Sequence, residues 1–300
     1  MSVFNFGSIN IDHVYQVPHL VQPGETLSSK TYQSVLGGKG ANQSIALAKA
    51  GVNVYHVGAI GASDLSFVDV MKAYGVNCNH VRPLADVASG HAIIQVDDNA
   101  ENAILLFGGA NQAISEDQIA LALANANQDD YVLIQNETNA LKSIIEHAKQ
   151  KDMRVIFNPA PMHESVKNLP LSMIDLLIVN EVEAQQLTGY QHLSDIKSGL
   201  LSQYPDAKFV MTLGKNGACY LDKDTDTQVD AYAVEAVDTT AAGDTFIGFF
   251  MAGLEHQKSI ADALRFACAA SALAVMTHGA SPSIPSIEDV EEFLVKQAQR

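Results

Sequence analysis

Short, nearly continuous apolar runs recur along the chain at residues 54–58, 131–135, 155–158, 176–179 and 209–213. Runs of this length bounded by turn residues suit strands buried on both faces. Between them lie stretches with helical spacing of apolar positions, such as residues 139–149, and the following strand ends at the breaker Asn158-Pro159-Ala160-Pro161. The alternation predicts right-handed βαβ units and an α/β fold whose mainly parallel sheet is covered on both faces. Binding residues are then expected at the carboxyl ends of the strands.

Two segments, about 14–35 and 90–107, break this rhythm with shorter alternating runs, for example His91-Ala92-Ile93-Ile94-Gln95-Val96 before the polar turn Asp97-Asp98-Asn99. They are expected to pair as a small antiparallel sheet that projects from the main one as a lid. No linker-like composition break, low-complexity tract or internal repeat divides the chain, so a single domain over residues 1–300 with the lid inserted in it is expected. The apolar stretch 260–276 is interrupted by Asp262 and Arg265 and reads as a buried, Ala-rich helix, not a membrane span.

Composition narrows the function. With 300 residues, 47% of them apolar, the chain can bury a substantial core. The balance of 18 Lys and Arg against 34 Asp and Glu, a net charge of −16, argues against a surface that neutralises nucleic-acid phosphates. An anionic ligand must therefore be met by local groups. Cys78, Cys219 and Cys268 are far apart and in no metal-ligand spacing, which fits a reducing, cytoplasmic setting. The opening MSVFNFGSIN has neither a basic stretch nor a long apolar run, so no signal peptide is expected.

The strongest chemical signal is Asp238-Thr239-Thr240-Ala241-Ala242-Gly243-Asp244-Thr245-Phe246, which leads into a helix expected to reach about Leu254. Small residues at a helix start leave backbone N–H groups facing outward, and the helix dipole adds partial positive charge there. Ala241, Ala242 and Gly243 thus form a candidate anion hole. An aspartate beside such a hole repels a bound phosphate, yet it suits a group that takes or orients the proton of an attacking hydroxyl. Its plainer alternative is a favourable charge at a helix start. That position is expected to keep Asp244 ionised and weakly basic, which a loose, metaphosphate-like transition state tolerates.

A second signal is Gly37-Gly38-Lys39-Gly40-Ala41-Asn42-Gln43, a glycine turn that opens an amphipathic helix ending near Gly51. It is not a phosphate loop of the GxxxxGK[ST] kind. It also fails the dinucleotide fingerprint, because Gln43 replaces the third glycine. Glycines let the backbone approach a polyhydroxylated ligand, with Asn42 able to donate and accept. In the opening strand-like run 3–12, Asn10 and Asp12 project from one face and suit sugar hydroxyls, although a strand fading into a polar turn would look similar. Asn180-Glu181-Val182-Glu183 and Thr212-Leu213-Gly214-Lys215-Asn216-Gly217 each follow a buried strand, where α/β sheets bind nucleotides, and turn chemistry alone also explains the second.

Taken together these motifs resemble the ribokinase-like sugar kinases of the PfkB superfamily, through GSINIDH, LGGKGANQ, the NPAP turn, NEVEA, TLGKNG, VDTTAAGDTF and GASPSIP in order along nearly the whole chain. The resemblance implies a three-layer α/β sandwich with a β-sheet lid that also serves as a homodimer contact. It implies transfer of the γ-phosphoryl group of ATP to a primary hydroxyl, O5 of D-ribose in the ribokinase branch. Another furanose or a nucleoside is the alternative acceptor, and a sugar sensor without turnover is a further one. By resemblance Asp244 is the catalytic base and Ala241, Ala242 and Gly243 its anion hole. Asn10, Asp12, Gly38, Lys39, Gly40, Ala41, Asn42 and Glu137 match sugar-contacting positions. Asn180, residues Thr212, Leu213, Gly214, Lys215, Asn216 and Gly217, and Cys268 match nucleotide positions.

The resemblance also implies Mg²⁺ carried with ATP and an activating K⁺ at Asp238, Thr240, Ala274, Thr277, Gly279 and Ser283. Two departures stand out. The turn after Gly61, Ala62-Ser63-Asp64-Leu65-Ser66-Phe67, is about two residues shorter than the family's, and Phe249 and Phe250 stand where small residues are usual.

Overall fold

The apolar runs fold as the parallel centre of one sheet. In the computed structural model, which describes residues 1–99 and 101–299, the elements begin with β1 (Ser2–Phe6), β2 (Asn10–Gln16), β3 (Thr31–Gly37), α1 (Lys39–Lys49), β4 (Asn53–Gly61), α2 (Leu65–Ala73) and β5 (Asn77–Leu84). They continue with β6 (Gly90–Val96), β7 (Asn102–Phe107), α3 (Glu116–Ala122), β8 (Tyr131–Gln135), α4 (Leu141–Lys149), β9 (Arg154–Asn158), β10 (Leu176–Asn180), α5 (Glu181–Thr188) and α6 (Leu193–Gln203). The last are β11 (Lys208–Thr212), β12 (Ala218–Leu221), β13 (Asp226–Val229), α7 (Ala242–Glu255), α8 (Ile260–Ala274) and α9 (Ile287–Ala298). Ala100, within the expected 90–107 segment, and Arg300 lie outside the described residues.

Nine strands form the main sheet in the order β13-β12-β11-β10-β9-β8-β1-β4-β5, all running in one direction except β12, which pairs antiparallel with both β11 and β13. Successive residues of its central strands feed two separate cores. Val3, Leu133, Ile156, Ile178 and Val210 pack with α1, α7 and α8 on one face. Phe4, Val132, Ile134, Phe157 and Leu177 pack with α4, α5 and α6 on the other. This is the three-layer arrangement that period-two burial of both strand faces demands. Strands β5 and β13 carried no apolar run because, at the sheet's edges, their polar side chains reach water.

The opening run is two strands, not one. At Gly7 a side chain would overlap the backbone of Gly40, and only the bare glycine lets the two segments touch. The chain turns there, out of the main sheet. Ser8 accepts the Ala41 N–H through its carbonyl at 2.9 Å, and Ile9 N–H donates to Asn111 Oδ1 at 2.9 Å. Asn10 and Asp12 therefore belong to β2 in a second sheet, ordered β3-β2-β6-β7.

That smaller sheet occupies the segments expected to form a lid, but it is mixed. The β2–β3 and β6–β7 pairs are antiparallel, whereas β2 and β6 run parallel. The reason is topological: β2 and β6 each follow a strand of the main sheet, β1 and β5, that runs parallel to the other, so both leave its carboxyl end in the same direction, and each is followed by its own returning strand. Strand β7 is exposed along its whole length, including Leu105 and Phe107.

The two departures are absorbed locally. The turn after Gly61 becomes a single 3₁₀ turn, Ala62–Asp64, in which Asp64 accepts from Ser89 Oγ at 2.5 Å. Phe249 and Phe250 are fully buried, with Phe249 against Phe266 and Phe250 stacked on Phe246. Helix α7 is apolar all round from Phe246 to Gly253, as a helix enclosed by the sheet, α1 and α8 must be.

Candidate active site

The carboxyl ends of β9, β10 and β11 and the amino ends of α1 and α7 converge on a cavity of about 220 Å³ lined by Lys39, Asn180, Glu183, Thr212, Ala241 and Asp244, among others. Helix α7 starts there because Ala241, with φ 58°, takes the left-handed conformation that ends the preceding loop. In the first turn of α7, the Ala241, Gly243 and Asp244 amides have no hydrogen-bond partner among the described residues. The Ala242 amide is turned to the Thr239 carbonyl at 3.3 Å, so of the three expected donors two are free.

Asp244 sits in the first turn of α7 and is buried. Its Oδ2 accepts from Asn42 Nδ2 at 3.0 Å and its Oδ1 from Gln43 Nε2 at 2.9 Å. The expectation that the helix start keeps this carboxyl ionised agrees with its state at neutral pH, but the group is a stronger base than expected. Burial pushes it up to about 6 against the opposing pull of Lys39, Gln43 and Asn42, and Glu137 adds repulsion. Removal from water outweighs the helix dipole, which leaves Asp244 a better base that is still mostly ionised at neutral pH.

Lys39 touches both groups of residues. Its backbone N–H donates to Glu137 Oε2 at 3.0 Å, while its side chain lines the cavity beside Asn180 and Glu183. Burial opposes its charge, yet Asp244, Glu137 and Glu183 outweigh burial and hold the ammonium above its usual range. Glu183, read earlier only as part of a strand-end motif, faces the same cavity, and burial raises its pKa against the Asn180 N–H and Lys39. Asn180 caps α5, accepting from Glu183 N–H at 2.8 Å. Thr212 lines the cavity; Leu213 is buried beneath it; Gly214, Lys215 and Asn216 form an exposed turn closed at Gly217, whose φ of 93° only glycine takes comfortably. Cys268 lies on α8, buried in the apolar core, and its thiol is pushed up to about 12.

The small sheet brings the other group together. Asn10 Oδ1 accepts from Asn111 Nδ2 at 2.7 Å, which leaves the Asn10 amide hydrogens free. Asp12 projects from the same face of β2, packed against the bare Gly37, with no protein donor to its carboxylate among the described residues. Burial, then repulsion from Glu137, pushes it up to about 6. Glu137, just beyond β8, accepts from Ser8 Oγ as well as from Lys39 N–H. Gly38, with φ 92°, caps α1, and Gly40 and Ala41 bring its first turn against Gly7 and Ser8.

Asp238 braces the loops beside α7. Its Oδ1 accepts from Thr240 N–H at 2.9 Å and Thr240 Oγ1 at 2.6 Å, and its Oδ2 accepts from Gly279 N–H at 2.9 Å. Burial works against its charge, but these donors and His278 hold the carboxyl below the usual range. Thr277 N–H donates to the Ala274 carbonyl, and Ser283 Oγ to the Ala280 carbonyl. The carbonyls of Thr240, Thr277 and Gly279 accept no backbone N–H among the described residues. No cluster of three or more His, Cys, Asp or Glu side chains able to hold a metal occurs among the described residues, and no helix there is long and apolar enough to cross a membrane.

The sequence reading missed Gln43 as a partner of Asp244. Its signal was present: Lys39, Asn42 and Gln43 stand at i, i+3 and i+4 and share one face of α1.

A parallel α/β sheet with a smaller sheet over the carboxyl ends of its strands, and a carboxylate at a helix start beside free amides, defines a protein built for group transfer to a small polar acceptor. The sequence pattern of the pfkB family carbohydrate kinases matches residues 2–287, and the chain belongs to that family. It is 38% identical over 296 residues to the ribokinase of Haemophilus influenzae, covering 96% of each chain. It is 30% identical over 305 residues to the deoxyribokinase of Salmonella typhi, covering 98% of this chain and 99% of the other. Among solved structures, the Arabidopsis thaliana ribokinase complexed with ribose and ATP superposes with a TM-score of 0.88 at 30% identity, covering 98% of each chain.

Proposed function

We propose that this protein is an ATP-dependent ribose kinase that transfers the γ-phosphoryl group of ATP to the O5 hydroxyl of D-ribose. The observation that carries the reading is the placement of Asp244. A buried carboxylate poised near pKa 6 stands beside free amides of α7 and opens on a cavity that Asn180, Thr212 and Lys39 also line. Asn10 and Asp12, on the small sheet, supply an unspent amide donor pair and an unspent carboxylate, the complement of adjacent sugar hydroxyls. Gly38, Gly40, Ala41, Asn42 and Glu137 would complete the sugar pocket.

In this reading Asp244 takes the proton of the attacking hydroxyl. Asn42 and Gln43 hold both carboxylate oxygens so that the remaining lone pairs face the acceptor. The Ala241 and Gly243 amides stabilise charge on the phosphoryl group in flight, and Lys39, fully charged, faces the phosphate tail. Residues 212–217 and Asn180 receive the nucleotide, with Cys268 behind it. The nine-stranded sheet and the smaller one act as a single domain and its lid.

The residues around Asp238 fit a monovalent cation. Three unspent carbonyls on loops tied together by an ionised carboxylate suit a large, weakly hydrated ion such as K⁺, which would hold the loop before α7 in place. Asp238, Thr240, Ala274, Thr277, Gly279 and Ser283 would hold it. A divalent ion is expected to arrive on the nucleotide, since Mg²⁺ keeps phosphate and water ligands and needs no protein cage. The exposed apolar strand β7 gives a second copy of the chain a surface on the lid, and three buried, unpaired thiols suit a reducing, cytoplasmic compartment.

Similarity to a deoxyribokinase favours deoxyribose as the second reading. Coupled ADP release across ribose, deoxyribose, fructose, pseudouridine and adenosine, with and without K⁺, tests both. Ribose is expected to give the highest kcat/KM, and turnover of a nucleoside or fructose without ribose would overturn the assignment.

A further inference from the structure

Behind Asp244 a chain of fully buried polar side chains crosses the molecule: Gln43, Gln135, Asn5, Ser44 and His56. Gln43 Nε2 donates to Asp244 Oδ1 at 2.9 Å. Gln135 Nε2 donates to Gln43 Oε1 at 2.8 Å and to Asn5 Oδ1 at 2.9 Å. Asn5 Nδ2 donates in turn to the Gly40 carbonyl and to Ser44 Oγ, both at 2.8 Å. Ser44 Oγ is 2.9 Å from His56 Nδ1, and His56 Nε2 is 3.1 Å from the Gly7 carbonyl.

Both ends of this chain only accept. One is a carboxylate, and the other is a pair of peptide carbonyls, at Gly40 and Gly7. Hydrogens must therefore point outward in both directions, and some residue must donate both ways. Gln135 is that residue. Both of its amide hydrogens are spent, and its Oε1 is left buried without a partner. Native interiors rarely strand an acceptor in this way, so its orphaning asks for a cause. Neutral His56 fits the same direction of donation, since burial pushes its pKa down to about 4 and leaves Nδ1 free to accept from Ser44.

We infer that Gln135 is a positioning residue for Asp244: by donating to Gln43 Oε1, alongside Asn158 Oδ1, which accepts from Gln43 Nε2 at 3.3 Å, it holds the Gln43 amide with its hydrogens, not its oxygen, toward the carboxylate. The inference rests on the reading of Asp244 as the proton acceptor. Were the Gln43 amide turned over, its oxygen would face Asp244 Oδ1, repel the ionised form and displace the carboxylate. The charged groups that face Asp244 are Lys39 from α1 and Glu137, two residues beyond Gln135.

The test is a double-mutant cycle of Gln135→Met and Gln43→Met, read by coupled ADP release with ribose over the acid limb of the pH profile. Each single variant is expected to lower kcat about tenfold, leave the sugar KM within about threefold, and move the acid limb up by about one pH unit. The double variant is expected to be no worse than Gln43→Met alone, because Gln135 acts through Gln43. Wild-type kcat and limb in Gln135→Met, or losses that multiply in the double variant, overturn the inference. Circular dichroism checks folding, and should Gln135→Met not fold, an unshifted limb in Gln43→Met overturns it instead. Asp244→Asn, assayed alongside, separates the two ideas. Normal turnover there removes the base itself, whereas a dead Asp244→Asn with unshifted limbs in the Gln variants removes only the positioning chain.

Discussion

Asn42 and Asp244, 202 positions apart in the sequence, meet through a 3.0 Å hydrogen bond that joins the glycine turn of α1 to the first turn of α7. The two most informative motifs of the chain are thus one structure, and the carboxylate between them is the natural place to test it.

Replacement of Asp244 by Asn or Ala removes the carboxylate proposed as proton acceptor while leaving the free α7 amides. We expect kcat to fall by at least about 10²-fold with ATP affinity largely unchanged. Steady-state kinetics with direct nucleotide-binding measurements check this, and near-normal turnover would contradict the role.

The pH dependence follows from two raised carboxyls. Asp244 and Asp12 are both pushed up to about 6, and in the proposed function each works as the ionised form. The value of kcat/KM for the sugar is therefore expected to be flat above pH 7 or so and to fall through about pH 6, steepening toward a second-order slope as both groups protonate. A profile of kcat/KM against pH that stays level well below 6 would sink this expectation.

Asp12, proposed as a sugar ligand, is held buried at a cost in stability. Its folded-state pKa lies above the ordinary 3.8, so between those values and 6 the folded chain binds more protons than the unfolded one, and stability is lost as pH rises through that window. Asp12→Asn is expected to stabilise the fold at neutral pH by about 1–2 kcal/mol, measured by chemical denaturation, and to raise the sugar KM at least about tenfold. Gly37→Ala is expected to mimic the second effect, because a methyl group there overlaps the Asp12 carboxylate and must push it aside.

K⁺ is expected to stimulate turnover over a K⁺-free buffer at saturating Mg²⁺ and ATP. Asp238→Ala frees Thr240 and Gly279 from their shared carboxylate and is expected to abolish most of that stimulation. A flat cation titration of the wild type would refute the site.

The parallel centre of the fold could be read from the sequence because β8 through β11 are buried on both faces and so write themselves as unbroken apolar runs. The break at Gly7 could not. Nothing local distinguishes it from a strand interior; its cause is the approach of Gly40, which only the folded chain supplies. The same holds for the charge of Asp244. Its helix position is visible in the sequence and argues for easy ionisation, but the burial that overrides the dipole comes from α1, remote in sequence. Gln43 was legible in its spacing from Lys39 and Asn42, yet its role needed the carboxylate's position. Strand β5, polar and at an edge, carried too little pattern to be seen.

One glycine sets how this molecule can move. At Gly248 any side chain would overlap Ala46 and the Leu47 backbone, so α7 and α1 lie spine against spine with no cushion between them. Helices so tightly meshed do not slide past each other. The two halves of the carboxylate's cradle, one on each helix, are thereby braced into a single stiff unit.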